Sequence, residues 1–142
     1  MESWLRALLV NFTNPAGLVT EALARHAPNV PSVGVCNVGI TAKMHMIKAL
    51  EEMTGTEIDP ATAQLNTLGL NHLTWHRGFT VDGEEMWPLL LNATLRELSA
   101  GHDPEWTPEL VNSLQYIPNY YLEYFYYTDK MIEAQKQWPP SR

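Results

Sequence analysis

The chain has 142 residues, of which 45% are hydrophobic and 18% charged, with a formal net charge of −7. These values predict one folded, acidic domain and argue against nucleic acid or an anionic membrane as the default partner, because both need a basic surface. The single cysteine excludes an internal disulfide framework, and no apolar run reaches the length of a bilayer span or a signal peptide, so we expect a cytoplasmic protein.

The first third of the chain follows the order strand, helix, strand, helix, which is typical of a parallel α/β sheet. Short apolar runs predict buried strands at residues 8–12 and 32–36. Asn14 suits the N-terminal cap of the helix between them. A longer amphipathic helix is predicted over residues 38–53. The residues expected on its inner face are Ile40, Met44, Ile47 and either Ala49 or Leu50.

The rest of the chain mixes strands and helices. The pattern predicts antiparallel strands within residues 64–79, a helix at 84–98, a loop at 102–108, a short helix at 107–114 and a tyrosine-rich helical stretch at 119–138. A turn is expected near Arg77-Gly78 or near Asp82-Gly83. The fold class is therefore α/β to α+β, with the end of a parallel sheet followed by antiparallel strands and helices.

Cys36 and Asn37 lie where the second strand is expected to meet a helix N-terminus. The helix dipole at such a position favours a thiolate, which makes Cys36 a candidate metal ligand or nucleophile. A lone cysteine at a strand end is also often a small buried hydrophobic residue, and position alone favours that interpretation.

His72 lies between apolar residues on a predicted strand, in the motif Gly69-Leu70-Asn71-His72-Leu73. A histidine in this setting is more often a core residue than a ligand. Cys36 and His72 nevertheless offer suitable ligand types for a transition metal, and two protein ligands would leave positions for substrate. His76 is expected at the surface or behind the metal ligands.

All six tyrosines lie within twelve residues, and Tyr120, Tyr124 and Tyr127 have the spacing of one helical stripe. Aromatic packing or an oligomer interface explains most of them. A tyrosine phenol can also act as a general base where a nearby metal ion lowers its pKa. Composition does not choose between these roles, and it leaves Asn14 open as a cap or a ligand contact at a strand end.

Four motifs in fixed order carry a resemblance to a known family. They are Asn11-Phe12-Thr13-Asn14-Pro15-Ala16-Gly17, Cys36-Asn37-Val38, Gly69-Leu70-Asn71-His72-Leu73 and Ile117-Pro118-Asn119-Tyr120-Tyr121-Leu122. The set resembles the family 4 glycoside hydrolases in their 6-phospho-β-glucosidase branch, whose fold is related to lactate and malate dehydrogenases. The resemblance implies a C-terminal domain like that of lactate dehydrogenase. Gly39 stands where the family usually has proline.

The resemblance implies a glycosidase that uses NAD and a divalent metal, usually Mn²⁺, on a phosphorylated disaccharide or an aryl 6-phospho-β-glucoside. In this family, hydride leaves C3 of the sugar for NAD, a tyrosine removes the C2 proton, the aglycone is eliminated, water adds and hydride returns. Carried over by motif, Cys36 and His72 bind the metal and Asn14 contacts the substrate. Asn37 favours β-linked substrates, because the α-specific branch tends to carry aspartate there. Tyr121 is the base, with Tyr120 as the alternative.

The resemblance also implies how the chain is divided into structural portions. Residues 1–54 match the end of a nucleotide-binding portion that includes the metal-ligating cysteine, and residues 55–142 match the start of a catalytic C-terminal domain. Family members are much longer, and no G-x-G-x-x-G occurs here. We therefore expect a piece of a longer enzyme, inactive alone, that forms homo-oligomers through exposed apolar surface.

Two other classes of function stay open from the residues alone. One is a non-catalytic folding or oligomerisation module in which Cys36 and His72 are structural. The other is a thiol hydrolase that uses Cys36 and a histidine.

Overall fold

A computed structural model describes residues 7–101 and 105–136 of the chain. The chain folds into two compact units, Met1–Gly39 and Ile40–Arg142. Part of the predicted loop at 102–108, residues 102–104, lies outside the described residues, as do the last two residues of the stretch 119–138.

The first unit is a strand, a helix and a second strand, as the sequence predicts. β1 (Leu9–Asn11) and β2 (Ser32–Gly34) are parallel, and α1 (Ala16–His26) connects them. Gly34 lets α1 approach β2 closely, since a Cβ on Gly34 would lie 2.4 Å from Oγ1 of Thr20. The parallel pair confirms the α/β character of this part of the chain.

The cap predicted for α1 is wrong. Pro15 occupies the cap position, no side chain caps the helix, and Asn14 is exposed. Proline suits the beginning of a helix because its fixed φ and missing N–H cost nothing there. The amide that organises this loop belongs to Asn11, which is buried and donates from Nδ2 to the carbonyl oxygen of Ala16 at 2.9 Å.

Helices and an antiparallel sheet make up most of the second unit. The helices are α2 (Val38–Thr54, which begins in the first unit), α3 (Trp87–Ala100), α4 (Pro108–Leu114), α5 (Glu123–Tyr126) and α6 (Thr128–Ala134). The strands are β3 (Ala63–Leu70), β4 (Leu73–Val81), β5 (Glu84–Glu85) and β6 (Ile117–Pro118). β4 pairs with β3, β5 and β6, always antiparallel. The fold is therefore mixed, with a parallel and an antiparallel sheet, as predicted.

The helix predicted at 38–53 is confirmed, but only half of its predicted inner face is buried. Ile47 and Leu50 lie in the core, whereas Ile40 and Met44 are exposed. Only the C-terminal half of α2 packs against the apolar core, which it does through Ile47 and Leu50. Helical spacing identifies an apolar face but not how much of the face finds a partner.

The sheet corrects the prediction for the middle of the chain. The β3–β4 turn is Asn71-His72, so His72 lies in a turn and not on a strand. Arg77-Gly78 is not a turn: the register shifts there, Gly78 has φ +94°, and the two residues form a bulge opposite Asn66. The turn expected at Asp82-Gly83 is present between β4 and β5.

The later helices differ from prediction in their limits. Glu84–Glu85 form β5, and the helix predicted from residue 84 begins at Trp87. The tyrosine-rich stretch is not one helix but a 3-10 turn (Tyr120–Leu122) followed by α5 and α6, with a break at Tyr127. The stripe predicted from helical spacing is therefore wrong.

One apolar core lies within the second unit. Its most deeply buried side chains are Leu50 from α2, Phe79 from β4 and Val111 from α4. Trp87, Leu90 and Trp106 extend it. The helices of the described residues all lack the combination of length and apolar character that crossing a bilayer requires.

Candidate functional site

The β3–β4 hairpin presents His72 in its turn. Gly69 and Asn71 both have positive φ, at +102° and +49°, which lets the chain reverse within two residues. The hydroxyl of Thr74 donates from Oγ1 to the carbonyl oxygen of Asn71 at 3.1 Å. His72 itself is half-buried, so its imidazole is held at the surface of the second unit and not inside its core.

Tyr121 lies beside His72, although the two residues are far apart in the sequence. β6 pairs with β4, and the Asn119 amide N–H continues this pairing by donating to the Thr74 carbonyl oxygen at 2.9 Å. Oδ1 of Asn119 accepts from the Tyr121 amide N–H at 3.0 Å and caps the 3-10 turn. The Tyr121 ring then stacks on His72, with centroids 3.8 Å apart and planes 5° from parallel. Two residues singled out by the sequence are therefore in direct contact.

Further aromatic rings surround this pair. The centroid of Tyr120 lies 4.4 Å from that of Tyr121, and the centroid of Tyr124 lies 6.3 Å from it. All three tyrosines are half-buried. The cluster therefore lies near the surface of the second unit and outside its apolar core.

His76 is buried, so the expectation of a surface position is wrong. Its exposed fraction is 2%, and its Nδ1 lies 3.0 Å from Oγ1 of Thr67 on β3. Burial lowers the pKa of the imidazole below its ordinary value of 6.5, because removal from water disfavours the cation. The bulge at Arg77-Gly78 explains this position, since it turns both His76 and Phe79 toward the core.

The remaining predicted residues lie in the first unit. Cys36 lies between the end of β2 at Gly34 and the beginning of α2 at Val38, so the predicted junction of strand and helix is present. Cys36 is exposed, which makes the buried-hydrophobe interpretation wrong. Asn14 and Asn37 are exposed as well. All three residues are thus in contact with solvent.

The donor set offers nitrogen and sulfur ligands for a divalent metal. Within the described residues, no group of three or more His, Cys, Asp or Glu side chains could hold an ion. Cys36 offers a sulfur donor in the first unit and His72 a nitrogen donor in the second, and both are donor types that divalent transition metals accept.

Two further residues of this site have no role that the sequence predicts for them. Thr74 and Asn119 are both buried, and Nδ2 of Asn119 donates to Oγ1 of Thr74 at 3.1 Å. Asn119 directly follows Ile-Pro in the fourth motif and precedes a short turn, which is a position where asparagine caps. Thr74 has no comparable signal, because its partner lies far away along the chain.

A separate cavity of ≈ 400 Å³ lies between α3, α4 and β6. Trp106, Val111 and Glu97 are among its lining residues. None of the predicted site residues lines it. The predicted metal-binding and catalytic residues therefore lie outside this cavity.

The chain combines parallel strands joined by a helix with an antiparallel sheet, which places it in the class of mixed α and β proteins. The model of the family 4 glycosyl hydrolase C-terminal domain matches residues 67–139, and that of the family 4 glycosyl hydrolases matches residues 4–52. The chain belongs to the family 4 glycosyl hydrolases.

Similar proteins agree with this assignment. The chain is 36% identical over 137 residues to a Bacillus subtilis (strain 168) protein named "Probable 6-phospho-beta-glucosidase", with 91% of this chain and 29% of that protein covered. It is 30% identical over 135 residues to the Escherichia coli (strain K12) 6-phospho-β-glucosidase, again with 91% and 29% covered. The chain thus spans less than a third of the length of these relatives.

The fold matches a solved structure of the same family. The 6-phospho-β-glucosidase of Thermotoga maritima, solved with manganese, NAD⁺ and glucose-6-phosphate, aligns with a TM-score of 0.66 and 27% identity. The alignment covers 92% of this chain and 29% of that one. The mixed fold predicted from the sequence is therefore shared with a part of a known 6-phospho-β-glucosidase.

Proposed function

We propose that this chain carries the metal-binding and proton-abstracting part of a glycosidase for 6-phospho-β-glucosides, either phosphorylated disaccharides or aryl 6-phospho-β-glucosides. The observation that carries the proposal is the stack of His72 on Tyr121 at 3.8 Å, since it joins the expected metal ligand to the expected base. The names of the relatives support the substrate class.

In this proposal, the Cys36 thiolate and the His72 imidazole bind one divalent cation, Mn²⁺ by analogy with the Thermotoga maritima structure. Cys36 is exposed in the first unit and His72 is half-buried in the second. When bound, NAD supplies a reversible hydride acceptor and the metal a Lewis acid for the sugar hydroxyls. The amides of Asn14 and Asn37 contact the sugar, and Asn37 favours a β-linked substrate.

Tyr121 acts as the general base in this proposal. Its phenolate oxygen takes the proton from C2 of the sugar before the aglycone leaves. The contact of its ring with His72 supports Tyr121 over Tyr120, whose ring stacks on Tyr121 instead. Beside His72, Tyr121 would lie near the sugar hydroxyls that a divalent cation would polarise, and oxidation at C3 by NAD would make the C2 proton easier for Tyr121 to remove.

Metal binding tests the proposal. We expect saturable Co²⁺ or Mn²⁺ binding, followed for Co²⁺ by its visible absorption, and an affinity reduced by at least about tenfold in Cys36→Ser and in His72→Ala. His45→Ala, on an exposed position of α2, is the matched control and keeps the affinity of the unmodified chain. An absence of saturable binding would instead support a non-catalytic assembly module.

We also propose that the chain alone turns over little substrate, because its sequence has no Gly-rich loop for the NAD pyrophosphate. The assay uses p-nitrophenyl 6-phospho-β-glucoside with NAD, Mn²⁺ and a reductant. Slow or absent release of p-nitrophenol is expected. Clear turnover that Cys36→Ser abolishes would contradict this inactivity and support the role of the thiol.

Three broader proposals accompany this function. Residues 1–54 end a nucleotide-binding portion and residues 55–142 begin a catalytic domain. The boundary between compact units, after Gly39, lies inside the first of these ranges.

A charged sugar phosphate does not cross membranes unaided, which supports action in the cytoplasm. Exposed apolar side chains such as Leu70 support homo-oligomers.

A further inference from the structure

A buried polar pair, Thr74 and Asn119, lies behind the His72–Tyr121 stack in the second unit. Nδ2 of Asn119 donates to Oγ1 of Thr74 at 3.1 Å. The exposed fractions of the two residues are 5% and 4%. The strands are already joined here by the hydrogen bond from the Asn119 amide N–H to the Thr74 carbonyl oxygen, so the side-chain pair is additional to the pairing of the sheet.

The Thr74 hydroxyl fixes the turn that carries His72. It accepts from Asn119 and donates to the carbonyl oxygen of Asn71 at 3.1 Å, so its single proton and one lone pair are both used. Asn71 immediately precedes His72 and has φ +49°. A turn residue in this conformation is held by such a bond because the left-handed region is otherwise unfavourable.

The Asn119 amide fixes the segment that carries Tyr121. Its nitrogen donates toward β4, while its Oδ1 accepts the Tyr121 amide N–H at 3.0 Å. One side chain thus connects the hairpin turn to the 3-10 turn. An unbroken series of hydrogen bonds runs from the backbone of Asn71 through both side chains to the backbone of Tyr121.

We propose that Thr74 and Asn119 are positioning residues that hold the His72 imidazole parallel to the Tyr121 phenol. Apolar side chains of similar shape would fill the same space, whereas a buried hydroxyl and amide are tolerated only when fully hydrogen-bonded. The pair therefore sets a geometry and does more than fill the core. The roles of His72 as metal ligand and Tyr121 as base rest on the proposed function. The parallel stacking of their rings does not depend on it.

The test compares variants that differ in a hydrogen bond and little in shape. Thr74→Val removes the hydroxyl at nearly constant volume, and Thr74→Ser restores it. The readout is the NMR resonance of the His72 ring protons, which the parallel Tyr121 ring shifts upfield, and Tyr121→Leu identifies that shift. Thr80→Val is the matched control, since Thr80 lies on the same strand but pairs with Gln64 and Glu85, away from the turn.

We expect Thr74→Val to move the His72 resonances most of the way to their positions in Tyr121→Leu, and Thr74→Ser and Thr80→Val to leave them near those of the unmodified chain. Unmoved resonances in folded Thr74→Val would overturn the proposal. If Thr74→Val does not fold, Asn119→Asp makes the same comparison. Aspartate cannot donate to Thr74, so the hydroxyl turns toward the carboxylate and away from Asn71.

A second measurement separates this proposal from the proposed function. Co²⁺ titration of the same variants is expected to give an affinity about tenfold weaker in Thr74→Val than in Thr74→Ser, because partners that orient a ligand are worth roughly this factor. A chain that binds no Co²⁺ would contradict the proposed function, while the His72 resonances would still decide the positioning role. Equal Co²⁺ affinities in Thr74→Val and Thr74→Ser would contradict the positioning of the metal ligand.

Discussion

Burial of the His76 imidazole makes the stability of the fold depend on pH. Its pKa in the folded chain lies below the ordinary 6.5, so the unfolded chain binds more protons in the window between these two values. The free energy of unfolding therefore falls as the pH falls through that window. We expect a lower melting temperature at about pH 5.5 than at about pH 7.5, and a smaller difference in His76→Asn. An unchanged difference in that variant would assign the effect to other groups.

Gly69 gives the second prediction at the scale of single residues. Its φ is +102°, and a Cβ there would lie 2.0 Å from the carbonyl oxygen of Leu73. We expect Gly69→Ala to lower the free energy of unfolding by about 3 kcal/mol, since the clash adds to the backbone strain. Gly83→Ala is the control because Gly83 has φ +83° with no atom within 4 Å of the added Cβ, so it should cost only about 1 kcal/mol. Denaturant titrations measure both, and equal losses would argue against the close approach.

Helix α4 supports a prediction about one secondary-structure element. Oγ1 of Thr107 accepts from the Leu110 amide N–H at 3.3 Å and caps the helix that carries the fully buried Val111. We expect Thr107→Ala to lower the free energy of unfolding by about 1 kcal/mol. Thr107→Ser keeps the acceptor and should stay within about 0.5 kcal/mol of the unmodified chain in the same denaturant titration. A loss of similar size in both variants would mean that the methyl group, and not the cap, stabilises α4.

Elements with local signals can be predicted from the sequence, and those set by distant pairing cannot. α4 has its own cap and proline at its start, and α2 has a long amphipathic period, so the sequence predicts both where they occur. The turn at Asn71-His72 is missed because Leu70 and Leu73, on either side of it, continue the apolar pattern of a strand. The helical stripe of tyrosines fails because the pairing of β6 with β4 fixes the segment at Asn119 and starts a 3-10 turn there.

The candidate site follows the same rule. The motifs single out His72 and Tyr121 as residue types, but their stacking depends on contacts between chain segments far apart in sequence. Thr74 is an ordinary strand residue until β6 brings Asn119 beside it. The sequence thus identifies residues with suitable side-chain chemistry. Their arrangement in space depends on the folded hairpin and on the segments that pack against it.

At the scale of the whole molecule, exposed apolar side chains favour association between copies of the chain. The formal charge of −7 opposes association only at long range, and salt screens it. Large apolar side chains are exposed in both units, among them Leu18 in the first and Ile40, Leu70 and Phe125 in the second. Burial of such side chains between molecules is favourable whatever the ionic strength.

Self-association should therefore be measurable and should depend on the β3–β4 hairpin. Leu68 and Leu70 lie on the same side of β3, with exposed fractions of 58% and 83%. We expect sedimentation velocity to show concentration-dependent oligomers that persist at high salt. Replacing both residues by threonine, which suits a strand, should weaken association by roughly tenfold per leucine, since each fully buried leucine contributes about 1.5 kcal/mol or more. Gln64→Thr changes another exposed position of β3 and should leave association unchanged. A chain that stays monomeric at every concentration, or a double variant that sediments like the unmodified chain, would show that this face does not hold the copies together.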